Sequence, residues 1–120
     1  MEERRVRVNG LAWFEHLPCA ITVCDKKYMI LYMNEKAAEV NEEAGGRALV
    51  GTNLMDCHPP DAQRKLRKVM SSGKPNAYTV EKKGIKKMVY QSHWKRNGRV
   101  AGLVELYFEL PRDVPRHVRT

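Results

Sequence analysis

The sequence predicts an α+β fold. The expected architecture is one five-stranded antiparallel sheet, with helices packed on one face and an N-terminal cap helix. Three observations carry this. Two early runs, ITVCD (21–25) and YMILYM (28–33), are rich in β-branched and aromatic residues and flank a DKK turn. One strongly amphipathic stretch, PPDAQRKLRKVMSSG, stands alone in the middle. The last third alternates strand and turn, with Lys83-Gly84 and Arg96-Asn97-Gly98 as the turns.

In chain order, residues 1–8 read as a charged arm and 9–110 as the folded domain. Asn9 can cap a short helix that runs to Leu17, with Leu11, Phe14 and Leu17 on one face, and Pro18 ends it. The hairpin of 20–33 follows. Asn34 is a good N-cap for EKAAEVNEEA, and Gly45-Gly46 closes that helix. RALVG gives one loose turn. In the central helix Ala62, Leu66, Val69 and Met70 fall at i, i+4, i+7 and i+8, a stripe facing a core. Pro60 suits its first turn, Asp61 the positive end of its dipole, and Gly73 stops it. Strands at 77–82, 86–95 and 101–110 close the domain, and residues 111–120 form a basic tail without periodicity.

Composition bounds the class. A chain of 120 residues suits one domain. A hydrophobic fraction of 42% indicates a globular chain. No apolar run approaches the roughly 18 residues of a membrane helix, and the N-terminus lacks the apolar core of a secretory signal. Cys19, Cys24 and Cys57 are an odd set without framework spacing, which fits reduced thiols in a cytoplasm. The net charge of +8 comes largely from Arg64, Lys65, Arg67 and Lys68 and from the lysines and arginines of 82–99. Aromatic residues are not interleaved with them as a stacking platform needs, so a solvated surface is expected and nucleic acid is the lesser reading.

The order of these pieces resembles the PAS domain, a sensory and dimerisation module of signalling proteins. ITVCDKKYMILYMNEKAAEV resembles its opening of strand, Asp turn, strand, Asn and helix. Gly51-Thr-Asn-Leu54 resembles the glycine before the loop into the long helix, and His58-Pro59 a pair common before that helix. Asn97-Gly98 with Gly102-Leu103-Val104-Glu105 resembles the closing hairpin. The resemblance covers roughly residues 11–110, and CHPP looks closest to PAS modules of prokaryotes. It implies a bacterial, non-enzymatic signalling module. Such a module binds a small ligand or a protein partner in a cleft between sheet and helices, and forms a homodimer. Flavin photosensors of the family carry an Asn-Cys-Arg motif before the long helix. NLMDCHPP does not meet it, so a flavin adduct is not expected.

The stretch LMDCHPP (54–60) looks reactive. Asp56, Cys57 and His58 are adjacent and point different ways, which is poor geometry for a metal set or for a nucleophile and its base. No metal site and no catalytic residue is therefore expected. Haem is the main alternative cofactor, through His58 or Cys57, because some PAS domains hold it from this region. The plainer reading is helix initiation. Asp56 or His58 would satisfy free backbone amides, and Cys57 would be a small buried residue.

The candidate ligand contacts implied by the resemblance are Thr22, Cys24, Met33, Val40, Cys57, Gln91 and Val104. The register of 88–94 has two readings. Hydrophobicity alone turns Tyr90 and Trp94 inward. The PAS pattern turns Val89 and Gln91 inward instead, and is preferred. It leaves Tyr90 and Trp94 on the outer face, to be covered by Trp13 and Phe14 of this chain or a partner. In the last strand both methods put Val104, Leu106, Phe108 and Leu110 toward the core, beside Thr22 and Cys24. A buried Gln91 amide must find hydrogen bonds, from backbone or ligand.

Overall fold

The computed structural model of the chain describes residues 13–120. Asn9, Leu11 and most of the expected cap helix lie outside the described residues. Trp13 to His16 form a turn. Five strands follow the expected order: β1 (Ala20–Asp25), β2 (Ile30–Met33), β3 (Asn76–Lys82), β4 (Ile85–Arg96) and β5 (Arg99–Glu109). Between β2 and β3 lie helix α1 (Glu35–Val40), three short 3₁₀ turns, and helix α2 (Pro60–Ser72). The sheet is antiparallel with strand order β2-β1-β5-β4-β3.

Local chemistry explains the elements. The Asp25 carboxylate accepts from the amides of Lys27 (2.8 Å) and Met29 (3.0 Å), which folds the β1–β2 turn. Tyr28 takes a left-handed φ of 67° in this turn, so β2 begins at Ile30 rather than at 28. In the β4–β5 turn Asn97 and Gly98 have φ of 53° and 77°, the pair of positive values that a two-residue hairpin of this twist requires.

Asn34 caps α1 as expected, its Oδ1 accepting from the Ala37 amide at 2.9 Å. It does more than the sequence suggested. The same oxygen accepts from Ile21 N at 3.0 Å, and Nδ2 donates to the carbonyls of Phe14 and Cys19 at 2.8 Å each. One buried amide thus joins the N-terminal turn, β1 and α1. α1 is also shorter than EKAAEVNEEA, because Glu42–Ala44 tightens into a 3₁₀ turn before Gly45.

The core lies between the helices and one sheet face. Leu66 and Val69 of α2 pack with Ala37 and Leu54 against Cys24, Met33 and Leu103. Leu103 settles the register of β5. It is buried and pairs with Cys24, so Glu105 and Tyr107 share its inner face. Val104, Leu106 and Phe108 therefore lie on the outer face, one residue out of phase with the expectation. Alternation pointed to the wrong face, because the outer face of this central strand is wholly apolar at Val104, Leu106 and Phe108 while the inner one carries Glu105. The β4 expectation from the PAS pattern is met: Val89 and Gln91 are buried, while Tyr90 is 38% exposed on the other side.

Candidate functional site

A cleft of about 310 Å³ opens between the end of α1, the loop before α2 and the inner face of the sheet. Ala20 and Thr22 of β1, Val89 of β4, and Glu105 and Tyr107 of β5 form its floor. Val40 and Asn41 close one side, His58 another, and Tyr78 and Val80 of β3 a third. A second cleft of about 290 Å³ adjoins it under α2, and Tyr78 borders both.

A row of polar side chains crosses three strands of this wall. Asn76 Nδ2 donates to Gln91 Oε1 at 2.9 Å, and Gln91 Nε2 donates to Glu105 Oε2 at 2.7 Å. The row follows from register, since Asn76 pairs with Gln91 and Gln91 with Glu105. Gln91 is 3% exposed, and its amide is satisfied within the chain. The polarity of the row is fixed at its Glu105 end, because a carboxylate only accepts.

His58 lies on the cleft wall with defined geometry. Its Nδ1 is 2.8 Å from the Leu54 carbonyl, which can only accept, so Nδ1 carries a proton, and in the neutral ring the lone pair is on Nε2. Gln63 Nε2 donates to the carbonyls of Met55 and His58 and ties this turn to the first turn of α2. The helix-initiation reading of LMDCHPP needs correction in detail. Leu54–Cys57 is a 3₁₀ turn capped by the Asn53 side chain, and α2 starts behind Pro59 with no side-chain cap. Cys57 is exposed, not buried.

The expected contacts divide five ways. Thr22 and Val40 line the main cleft, and Gln91 lines the adjoining one. Cys24 and Met33, both 1% exposed, are sealed in the core. Burial, with the Asp25 and Glu105 charges adding to it, pushes the Cys24 thiol up to about 11. Cys57 is turned to solvent, and Val104 faces away from the cleft for the register reason given above. Sequence reasoning missed Glu105, Tyr107, Tyr78 and Asn41. A carboxylate in the middle of VELYFE was the available signal, since charge inside a central strand is costly unless the face it lies on is hollow.

At the N-terminus, Phe14 packs edge-on to Tyr32 with ring centroids 5.5 Å apart, so it covers the β2 side of the sheet within its own chain. Trp13 is 61% exposed. Trp94 lies at the far end of the outer face, its Nε1 donating to the Cys24 carbonyl at 3.0 Å and Arg96 over its ring. The structure does not join these two aromatic groups. Among the described residues no cluster of three or more His, Cys, Asp or Glu could hold a metal ion. No helix among them is long and apolar enough to cross a membrane.

A family model described as the PAS fold matches residues 14–114. The chain belongs to the PAS family. Solved structures are similar to it over most of its length. A C-terminal domain from Streptococcus mutans is 24% identical, with TM-score 0.63 over 81% of this chain and 79% of that one. The Aer2 receptor of Vibrio cholerae, described as a dual PAS-haem oxygen sensor, is 15% identical, with TM-score 0.61 over 78% of this chain and 95% of that one. VqmA of Vibrio cholerae, in a complex with ligand and DNA, is 14% identical, with TM-score 0.67 over 88% of this chain. The match covers only 52% of VqmA. No curated protein matches the sequence.

Proposed function

We propose that this PAS domain is a non-enzymatic, cytoplasmic bacterial sensor module that takes a small molecule into the cleft above Thr22, Val89 and Glu105. One observation carries the reading: the Asn76–Gln91–Glu105 row sets ordered polar groups along two adjoining clefts, Asn76 and Gln91 on one and Glu105 on the other, beside the apolar side chains of Val40, Val80 and Val89. Fixed polar groups converging beside apolar contacts are what orient a ligand in small-molecule sites. A volume of about 310 Å³ lies at the small end of such sites, roughly 300–1,000 Å³. Ligand binding in VqmA and oxygen sensing in Aer2 lend the reading analogy.

The signal is a population shift. A ligand that binds one arrangement of α1, His58 and sheet more tightly than another favours that arrangement. The outer face offers the receiver. Ile21, Val23, Tyr90, Leu106 and Phe108 form a partly exposed apolar surface, which suits a homodimer with the N-terminal segment beside it. Native mass spectrometry of freshly purified protein reads both features. A dimer carrying extra mass supports the proposal, and an apo monomer overturns it.

A second reading, haem, is favoured by one detail. His58 keeps Nε2 free while Nδ1 donates to a backbone carbonyl, the arrangement that orients metal-ligating histidines. The space is against it: a macrocycle of that size needs more than about 310 Å³ and would displace Val40 or Tyr78. When bound, haem would supply gas-binding or redox chemistry at its iron. A Soret band in the purified protein, lost in His58→Ala, would establish haem.

A further inference from the structure

We propose that the cleft selects a small organic cation, an apolar body ending in a protonated nitrogen that sits on Glu105. The inference rests on the ligand-binding reading and adds the charge class of the ligand.

Glu105 stands in the middle of β5 on the inner face, part-buried and on the cleft wall. Its Oε2 takes the Gln91 amide, a neutral donor. Gln91 is held from behind by Asn76, so the row cannot turn to offer the carboxylate anything more positive. The ion pairs found among the described residues are His16–Glu35, Lys36–Glu39, Arg47–Glu15 and Arg64–Asp61, and none includes Glu105. This is a chain of 22 Lys and Arg against 14 Asp and Glu. No Lys or Arg lines the main cleft. On the same face of β4, Lys87 lies over the Tyr107 ring at 4.8 Å.

A carboxylate drawn out of bulk water without a counter-charge costs stability. Its charge reaches its neighbours: the Tyr78 hydroxyl is held above its usual range by burial first and then by Glu105. A bound cation removes that cost, and an anion raises it. The remaining surface suits the body of such a ligand. Val40, Val80 and Val89 supply apolar contact, and the Tyr78 ring supplies a face that attracts cations.

Three probes of matched shape test this with the whole chain at neutral pH: phenethylamine (protonated), phenethyl alcohol (neutral) and hydrocinnamate (anionic). Amide-resolved NMR titration reads site and affinity. The amine should move the amides of Thr22, Val89, Gln91 and Glu105 with a Kd at least about tenfold below that of the alcohol, and hydrocinnamate should bind more weakly still. In Glu105→Gln, which keeps an acceptor for Gln91, that advantage should vanish while alcohol binding stays. The comparison of charges on the wild-type chain needs no variant to fold. Equal binding of all three probes in the cleft, or preference for the anion, overturns the cation inference and leaves the ligand-binding reading standing. If none of the three moves cleft amides, the cation inference falls, and the ligand-binding reading is then decided separately by native mass spectrometry.

Discussion

Trp94 donates its indole N–H to the carbonyl of Cys24 at 3.0 Å, reaching across β5 from β4 to β1. The crossing is possible because Gly102, the β5 residue between them, has no side chain. A Cβ there would overlap the Cys24 carbonyl and stand 2.8 Å from the Trp94 nitrogen. Gly102→Ala should therefore cost about 3 kcal/mol, at the upper end for overpacking, because backbone rather than a flexible side chain must move. Urea unfolding measures it. A midpoint equal to wild type would mean that β1 and β5 can separate without penalty.

The one-residue phase of β5 predicts a contrast between neighbours. Leu103 is 2% exposed within the core, whereas Val104 lies on the outer face. Leu103→Ala should lose about 3 kcal/mol and Val104→Ala no more than about 1 kcal/mol. A larger loss at Val104 than at Leu103 would restore the opposite register.

Asn34 separates capping from tethering. Asn34→Ser keeps a hydroxyl able to cap α1 but loses the donors to Phe14 and Cys19. If capping were its whole role, the serine would be nearly neutral. The four-bond geometry predicts instead a loss of about 2–3 kcal/mol. It also predicts faster hydrogen exchange at residues 14–21, read by mass spectrometry. Wild-type exchange there in Asn34→Ser would refute the tether.

The thiols should differ in reactivity and in linkage to folding. Exposed Cys57 should label first with a thiol reagent, and Cys24 only on unfolding. The folded chain holds the Cys24 proton up to about 11, while the unfolded chain releases it from the ordinary thiol range near 9.0. The native state therefore binds more protons between these values, and stability falls as pH rises through them. The fall due to Cys24 is the part absent in Cys24→Ala. Parallel curves for the two proteins would show that this proton is not linked to folding.

Much of the architecture was legible in the residues. β-branched runs, Asn97-Gly98, the Asn34 cap and the stripe through Leu66 and Val69 each act within a few residues, so neighbouring chemistry fixed them. The site was less legible, and for a consistent reason. Phase across the sheet depends on pairing between strands far apart in sequence. In β5 the more apolar set of residues lies on the outer face, so alternation gave the opposite phase, and pairing moved Val104 out of the cleft and Glu105 into it.

Local sequence determined which segments became strands and helices, because turn, cap and periodicity signals are short-range. Tertiary structure alone decided which wall is hollow. That Asn76, Gln91 and Glu105 lie side by side depends on three strands pairing in one register, and no single segment carries that information.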